Sequence, residues 1–294
     1  MPRYDYTTVG HVTCDVLPDE LIEQEGPGSP VSDRLRHPLG RPGGTALYSA
    51  LQAARLELRT HILTSGDPVE IERLLGPLRA EVDLTVLPAA HTTTLLTHGE
   101  GAARHQRLLA WAEPLAPPEV DTAILHLAPV ARETPPTWSG RADFVGLTPQ
   151  GLVREWDAAG EVALAPLRGE LVPARCEAWA LSEREGERCV PQLAHAAAAG
   201  TVVAVTDGAR PTTLHLPGGA VQHVPVPPVA APCEDLGAGD VWAAAFFIAL
   251  HEGRPPPQAA AFATAAAGVR LAGVGPGAIG NRAAVEARLK RSRP

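Results

Sequence analysis

Short apolar runs alternating with alanine-rich helical segments leave this chain few folds to adopt. HILTSG at 61–66, AILHLA at 123–128, DFVGL at 143–147, AWALS at 178–182 and TVVAVTDG at 201–208 read as buried strands. Helical segments accompany them. TALYSALQAARLEL places Leu47, Leu51, Ala54 and Leu58 on one face, and VPQLAHAAAAG follows AWALS. Such alternation builds a largely parallel sheet covered by helices, so the expected class is α/β. Residues 4–13, β-branched and aromatic before Gly10, read as the opening strand.

Two regions break this rhythm. Residues 16–42 are polar with no strong helical period, and HTTTLLTHGEGAARHQRLLAWAEPL at 91–115 is strand-like and rich in threonine and arginine. Both could be loops, or the extra strands of a small β-rich lid over the sheet's edge, which is the preferred reading, with lid segments near 16–42 and 91–112. No internal repeat or low-complexity linker divides the chain apart from proline clusters such as PVPPVAAP at 225–232, so 1–294 reads as one domain.

Composition narrows the function. With 25 Lys+Arg against 33 Asp+Glu the net charge is −8, which argues against a general nucleic-acid binder. The single lysine, Lys290, lies in the tail RLKRSRP, so neither a Walker-A loop nor a Schiff-base lysine is present. No G-x-G-x-x-G follows the first strand, which argues against a Rossmann oxidoreductase. Cys14, Cys176, Cys189 and Cys233 stand far apart and read as reduced thiols rather than zinc ligands. The eleven histidines include no H-E-x-x-H, and His11 and His126 at strand ends read as packing or capping residues. The N-terminus lacks the apolar core of a signal peptide and no run of about 18 apolar residues occurs, so a cytoplasmic protein without a membrane partner is expected.

The chemistry is concentrated in EDLGAGDVWAAAFFIALHEG, residues 234–253. A Gly-Ala-Gly turn ahead of a helix beginning at about Asp240 gathers free backbone N–H groups and the positive end of the helix dipole at one point, which suits an anion. A carboxylate beside bound anions is placed to take a proton from an attacking hydroxyl while the N–H groups absorb developing charge. The same residues also suit a plain glycine turn with Asp240 as a helix cap.

GAGD, together with VGHVTCD at 9–15 and RPGGTALYSALQAARL at 41–56, resembles the PfkB or ribokinase-like carbohydrate kinases. The likeness extends over nearly the whole chain: TVVAVTDGA is similar to the family's strand and turn on the nucleotide side, ALSEREGE to its metal-associated motif, and ATAAAGVRLAGVGPGA to the helix junction over the adenine. The resemblance implies a three-layer α/β/α fold with a small lid. It implies Asp240 as catalytic base, and Gly237, Ala238 and Gly239 as the anion hole. By the same likeness Asp15, Gly43 and Gly44 would contact substrate hydroxyls, Thr206 and Gly208 would border the nucleotide phosphates, Gly275 and Gly277 would lie near the adenine, and Glu185 would act through water on Mg²⁺.

This chain also departs from the family pattern. Tyr48 stands where asparagine usually follows the Gly-Gly pair, and would change the size and polarity of the sugar pocket or fill space on the helix. Ser182 replaces the asparagine of the metal motif. Glu234-Asp235-Leu236 replaces Asp-Thr-x in a segment from which some members build a monovalent-cation site. With no usable lysine, phosphate charge must be met by Mg²⁺, the helix N-terminus and guanidinium groups. Arg107, with Arg104, lies in the expected lid and is a substrate candidate, or else one of many solvated arginines. The expectation is an ATP-dependent, Mg²⁺-assisted kinase for a small polyol (sugar, inositol or nucleoside); the resemblance adds that family members often form a homodimer through the lid, which the sequence itself does not show. The alternative is a non-catalytic nucleotide- or sugar-binding protein that has kept the kinase fold.

Overall fold

The computed structural model describes residues 3–17, 40–99 and 101–292. The N-terminal elements are β1 (Tyr4–Val9), β2 (Thr13–Val16), β3 (Arg41–Gly43), α1 (Thr45–Arg55), β4 (Thr60–Gly66), α2 (Pro68–Leu75), β5 (Asp83–Pro88), β6 (Thr94–His98) and β7 (His105–Ala110). The middle of the chain forms β8 (Glu119–Leu127), β9 (Ser139–Leu147), β10 (Arg154–Trp156), β11 (Val162–Leu164) and β12 (Ala178–Ser182). Then come α3 (Glu183–Gly186), α4 (Val190–Ala198), β13 (Val202–Asp207), β14 (Arg210–His215), β15 (Val221–Val224), α5 (Ala238–His251), α6 (Pro256–Arg270) and α7 (Arg282–Arg291).

The central sheet runs β15-β14-β13-β12-β9-β8-β1-β4-β5. Every pairing from β5 across to β13 is parallel, and β14 and β15 are antiparallel. Successive side chains on these strands face opposite sides. Ile124, Phe144, Ala178 and Ala204 join one core under α1, α5 and α6, whereas Leu125, Val145, Trp179 and Val203 join a second core on the other face. Phe246, Phe247 and Phe262 of the first core are fully buried, each contributing roughly 1.5–3 kcal/mol. Gly146 matters here, because a Cβ at that position would stand 2.4 Å from the Phe247 ring.

The alternation of strands with helices holds only in part. Among the described residues, the crossovers β8–β9 and β9–β12 contain no α-helix. Prolines at 129, 135, 136, 149, 166 and 173 explain this, since each removes a donor and blocks a helical turn. Short 3₁₀ turns and the antiparallel β10–β11 hairpin take the place of helices, and Leu152, Val153 and Leu167 cover the second core instead.

The expected opening strand is split. β1 stops at Val9, because Gly10 lets the chain pass so close to β8 that a Cβ would meet Ala128 O at 2.2 Å. β2 then leaves the central sheet for a separate four-stranded sheet of order β3-β2-β6-β7. β6 and β7 of this small sheet, hereafter the lid, lie within the segment 91–112 expected to form one. Of the segment expected near 16–42, residues 18–39 lie outside the described residues, and its described ends belong to β2 and β3.

The histidines at the strand ends sit in closed polar sets. His126 bonds Tyr6 Oη at 2.8 Å and Thr148 Oγ1 at 3.0 Å, and burial pushes its pKa down to about 3. His11 bonds Ser65 Oγ at 2.9 Å and Thr93 Oγ1 at 2.7 Å, and burial lowers its pKa as well. The four cysteines are all free thiols. No described helix is long and apolar enough to cross a membrane.

Candidate active site

The Gly-Ala-Gly turn is built as its composition requires. Gly237 caps α5 in the left-handed region at φ +77°, and the helix starts at Ala238, two residues before the expected position. The N–H groups of Ala238 and Val241 donate to Asp235 O at 3.1 Å and Gly237 O at 3.0 Å. Those of Gly239 and Asp240 have no protein acceptor among the described residues, and nothing stands within 4 Å of where a Cβ of Gly239 would be. Two donors and the helix dipole therefore open onto free space.

The Asp240 side chain is half-buried in this first turn, reached by solvent yet surrounded by protein. Its Oδ1 accepts from Gln150 Nε2 at 3.2 Å, and Gln150 also bonds Thr45 Oγ1. Ser49 Oγ donates to Asp240 O at 3.1 Å, fixing the backbone below. Desolvation pushes the Asp240 carboxyl up to about 6. The Thr45 hydrogen bond and the charge of Arg154 pull it down, Glu185 pushes it up, and Arg104 lowers it again.

A second carboxylate comes from the lid. Asp15 on β2 is buried, and its Oδ1 accepts from Thr13 Oγ1 at 2.7 Å. Burial raises it to about 6 as well; the Thr13 bond and Arg154 lower it, and the charge of Asp240 raises it. The Gly43-Gly44 pair permits this arrangement. A Cβ at Gly43 would stand 2.0 Å from the Asp15 carboxylate, and one at Gly44 would meet His11 O at 2.4 Å. The close passage starts α1 at Thr45 and delivers that hydroxyl to Asp240.

Two arginines provide the positive charge. Arg154, at the start of β10, donates to Val130 O at 3.0 Å and has no carboxylate within ion-pair distance among the described residues. Its pKa is lowered by burial and raised by Glu185, Asp240, Glu133 and Asp15, so it stands among these acids. Arg104 reaches from the lid to pair with Asp235, whose Oδ2 also accepts from Gly101 N at 2.9 Å. The lid is thereby tied to the segment just before the turn. Glu133, fully buried, accepts from the N–H groups of His11, Val130 and Ala131, and shapes the loops beneath.

The other expected residues divide. Glu185 forms a capping box with Ser182: its Oε2 accepts from Ser182 N at 2.8 Å, and Ser182 Oγ accepts from Glu185 N at 3.4 Å. Its charge nevertheless reaches Asp240 and Arg154. Thr206 Oγ1 is tied to Leu181 O at 3.3 Å, and space is open around Gly208, Gly275 and Gly277. Gly275 N donates to Glu234 Oε2 at 2.7 Å, which brings its loop beside the turn. Tyr48 is buried: burial pushes its hydroxyl up to about 12, and its ring lies against Gly237.

Arg107 is not brought to this cluster. Asp15, Leu95 and Leu108 share one face of the lid by register, whereas Arg107 pairs with Leu96 on the other. Its Nε donates to Ala159 O at 2.6 Å, and it pairs with Glu161 at 3.9 Å, so it holds the β10–β11 hairpin. Gln150, Arg154 and Glu133 were not foreseen from the sequence; the one available signal was polar residues set in proline-rich loops that precede or follow strands.

Residues 163–281 match the model of the pfkB family carbohydrate kinases. No protein among the curated sequences matches. Among solved structures, the chain is similar to Arabidopsis thaliana ribokinase complexed with ribose and ATP, at 19% identity and a TM-score of 0.72, covering 98% of this chain and 99% of that one. It is also similar to a pyrophosphate-dependent kinase in the ribokinase family complexed with a pyrophosphate analog and myo-inositol, at 17% identity and a TM-score of 0.70, covering 96% and 99%. Fructokinase from Vibrio cholerae, bound to fructose, ADP and calcium ion, is similar at 18% identity and a TM-score of 0.65, covering 97% and 99%. The chain therefore has the ribokinase fold, and within it residues 163–281 carry the signature of the pfkB family carbohydrate kinases.

Proposed function

We propose that the protein is a kinase that transfers a phosphoryl group, from ATP in the first instance, to a hydroxyl of a small polyol such as a sugar, an inositol or a nucleoside. One observation carries the reading: the Asp240 carboxylate stands in the first turn of α5 beside two unpaired N–H groups, with a second buried carboxylate, Asp15, held near it by the lid. In this reading Asp15 accepts hydrogen bonds from acceptor hydroxyls, and Gly43 and Gly44 let the backbone approach. Asp240 takes the proton of the attacking hydroxyl. The Gly237, Ala238 and Gly239 turn receives the charge of the moving phosphoryl group, and Arg154 and Arg104 add positive field. Gln150 and Thr45 orient the base. Thr206, Gly208, Gly275 and Gly277 border the donor, where the loops leave open space.

The donor set fits Mg²⁺. No group of three or more acidic, histidine or cysteine ligands occurs among the described residues, and Mg²⁺ is ordinarily held by one or two carboxylates, water and substrate phosphates. Glu185, whose charge reaches Asp240, is the residue that would hold it through water. Such an ion neutralises phosphate charge when bound.

The test is phosphorylated-product formation across pentoses, hexoses, inositols and nucleosides, with Mg·ATP and with magnesium pyrophosphate as donors. Pyrophosphate belongs in the panel because one of the similar structures is of a kinase that depends on it. Turnover of one polyol by the native protein, with loss of roughly 100- to 10,000-fold in Asp240→Asn, is the expected result. If donor or sugar raises the melting temperature of both proteins alike but nothing is turned over, the protein is a binder that has retained the fold.

A further inference from the structure

Arg270, the last residue of α6, is fully buried, and its guanidinium gathers acceptors from two loops. Nη1 donates to Gly273 O at 2.9 Å; Nη2 donates to Leu236 O at 2.6 Å and to Glu234 Oε2 at 2.5 Å. The same carboxylate accepts from Gly275 N and, through Oε1, from Arg41 at 3.2 Å. The guanidinium also lies 5.5 Å from the centre of the Tyr48 ring, the ring on which Gly237 rests. Leu236 directly precedes the Gly-Ala-Gly turn, and Gly273 opens the loop that carries Gly275 and Gly277.

Carbonyl oxygens and a carboxylate converging from two loops form the donor set of a bound hard cation. Here the cation is attached to the chain. A planar guanidinium bridges several acceptors at fixed angles, and once buried among them it holds them in one arrangement. We propose that Arg270 is a built-in cation that positions the 236–240 turn to receive an anion, so that no dissociable cation is needed beneath it. The inference rests on the reading of residues 237–239 as the receiver of phosphate charge, and it assigns Arg270 a positioning role rather than contact with substrate.

The test is calorimetric titration of the full chain with Mg·ATP and with magnesium pyrophosphate in buffers whose monovalent cation is tetramethylammonium, sodium or potassium. The wild type is expected to bind with a Kd that varies by less than about twofold across the three, whereas Arg270→Ala weakens binding by about tenfold or more and millimolar guanidinium restores part of it. Thermal melts alongside separate the roles: for a merely structural arginine the loss and rescue of binding follow the loss and rescue of the melting temperature, whereas a positioning arginine changes binding at temperatures where both proteins are fully folded. Wild-type binding that tightens by about tenfold in potassium overturns the inference, because a dissociable cation then has its own site. Arg270→Ala binding as tightly as wild type, or weakened binding that guanidinium does not restore, overturns it too. If Arg270→Ala does not fold, Arg270→Lys supplies the variant, and potassium dependence of the wild type overturns the inference without either. A wild type that binds neither donor in any buffer overturns the inference and the kinase reading together, while one that phosphorylates a polyol but needs potassium overturns the inference alone.

Discussion

The ring of Tyr48 lies so close to Gly237 that a methyl group on that glycine would stand 2.2 Å from Cδ1 of the ring. Gly237 also holds φ at +77°, where any L side chain is strained by about 1–2 kcal/mol. Both effects act on the turn whose N–H groups face open space. Gly237→Ala is therefore expected to displace the turn and cut turnover by about 100-fold, the scale of losing one oxyanion donor. Tyr48→Phe, which keeps the ring, is expected to retain most activity. Steady-state kinetics of the two variants, with thermal melts alongside, check the pair; an equal loss in Tyr48→Phe would show that the hydroxyl matters as much as the ring.

The base assignment makes a pH prediction. Burial holds the Asp240 carboxyl near 6, so it is protonated and useless as a base in acid and becomes competent as pH rises through that value. The pH profile of kcat/KM is expected to climb tenfold per unit below about 6 and then level. Arg154 lowers the same pKa, so Arg154→Gln is expected to move the acid limb upward. A limb that stays in place would remove Arg154 from the field of the base.

Much of this arrangement was legible in the sequence, and the part that was not has a physical cause. GAGD and Gly43-Gly44 could be read because each demands a local backbone form that only small residues permit, and the strands could be read from their apolar runs. Arg154 and Gln150 could not, since they come from a proline-rich crossover where no period marks which side chain turns inward. The two readings of Arg107, substrate contact or solvated arginine, stay open in the sequence for a different reason: a strand-like stretch does not reveal which face it presents until its register is fixed, and a shift of one residue reverses every side chain. Arg270 reads in sequence as an ordinary basic helix end; only the folded chain brings Leu236 and Gly273 to it.

The lid register separates the two arginines experimentally. Arg107→Ala removes an exposed pair with Glu161 and a bond to Ala159, a change of about 0–1 kcal/mol in stability, and KM for the acceptor is expected to stay within about twofold. Arg104→Ala removes the tie between the lid and Asp235 and takes positive charge from the site, so KM is expected to rise several-fold. Kinetics of both variants against the acceptor decide it, and the reverse order of effects would place Arg107 on the substrate face.

Asp15 links function to stability. Its folded pKa of about 6 lies above the usual carboxylate value, so between pH 4 and 6 the folded chain holds a proton that the unfolded chain has released. The contribution to stability is thus fully present below about pH 4 and lost as pH rises through about 6, because the buried carboxyl must then carry charge. Asp15→Asn, which keeps the shape without the charge, is expected to stabilise the protein at pH 7 by on the order of 2 kcal/mol while weakening acceptor binding. At pH 4 the two proteins should unfold alike. Urea denaturation at both pH values measures the difference, and a variant that is no more stable than wild type at pH 7 would show that Asp15 is solvated in the folded protein, leaving its buried charge out of the lid's design.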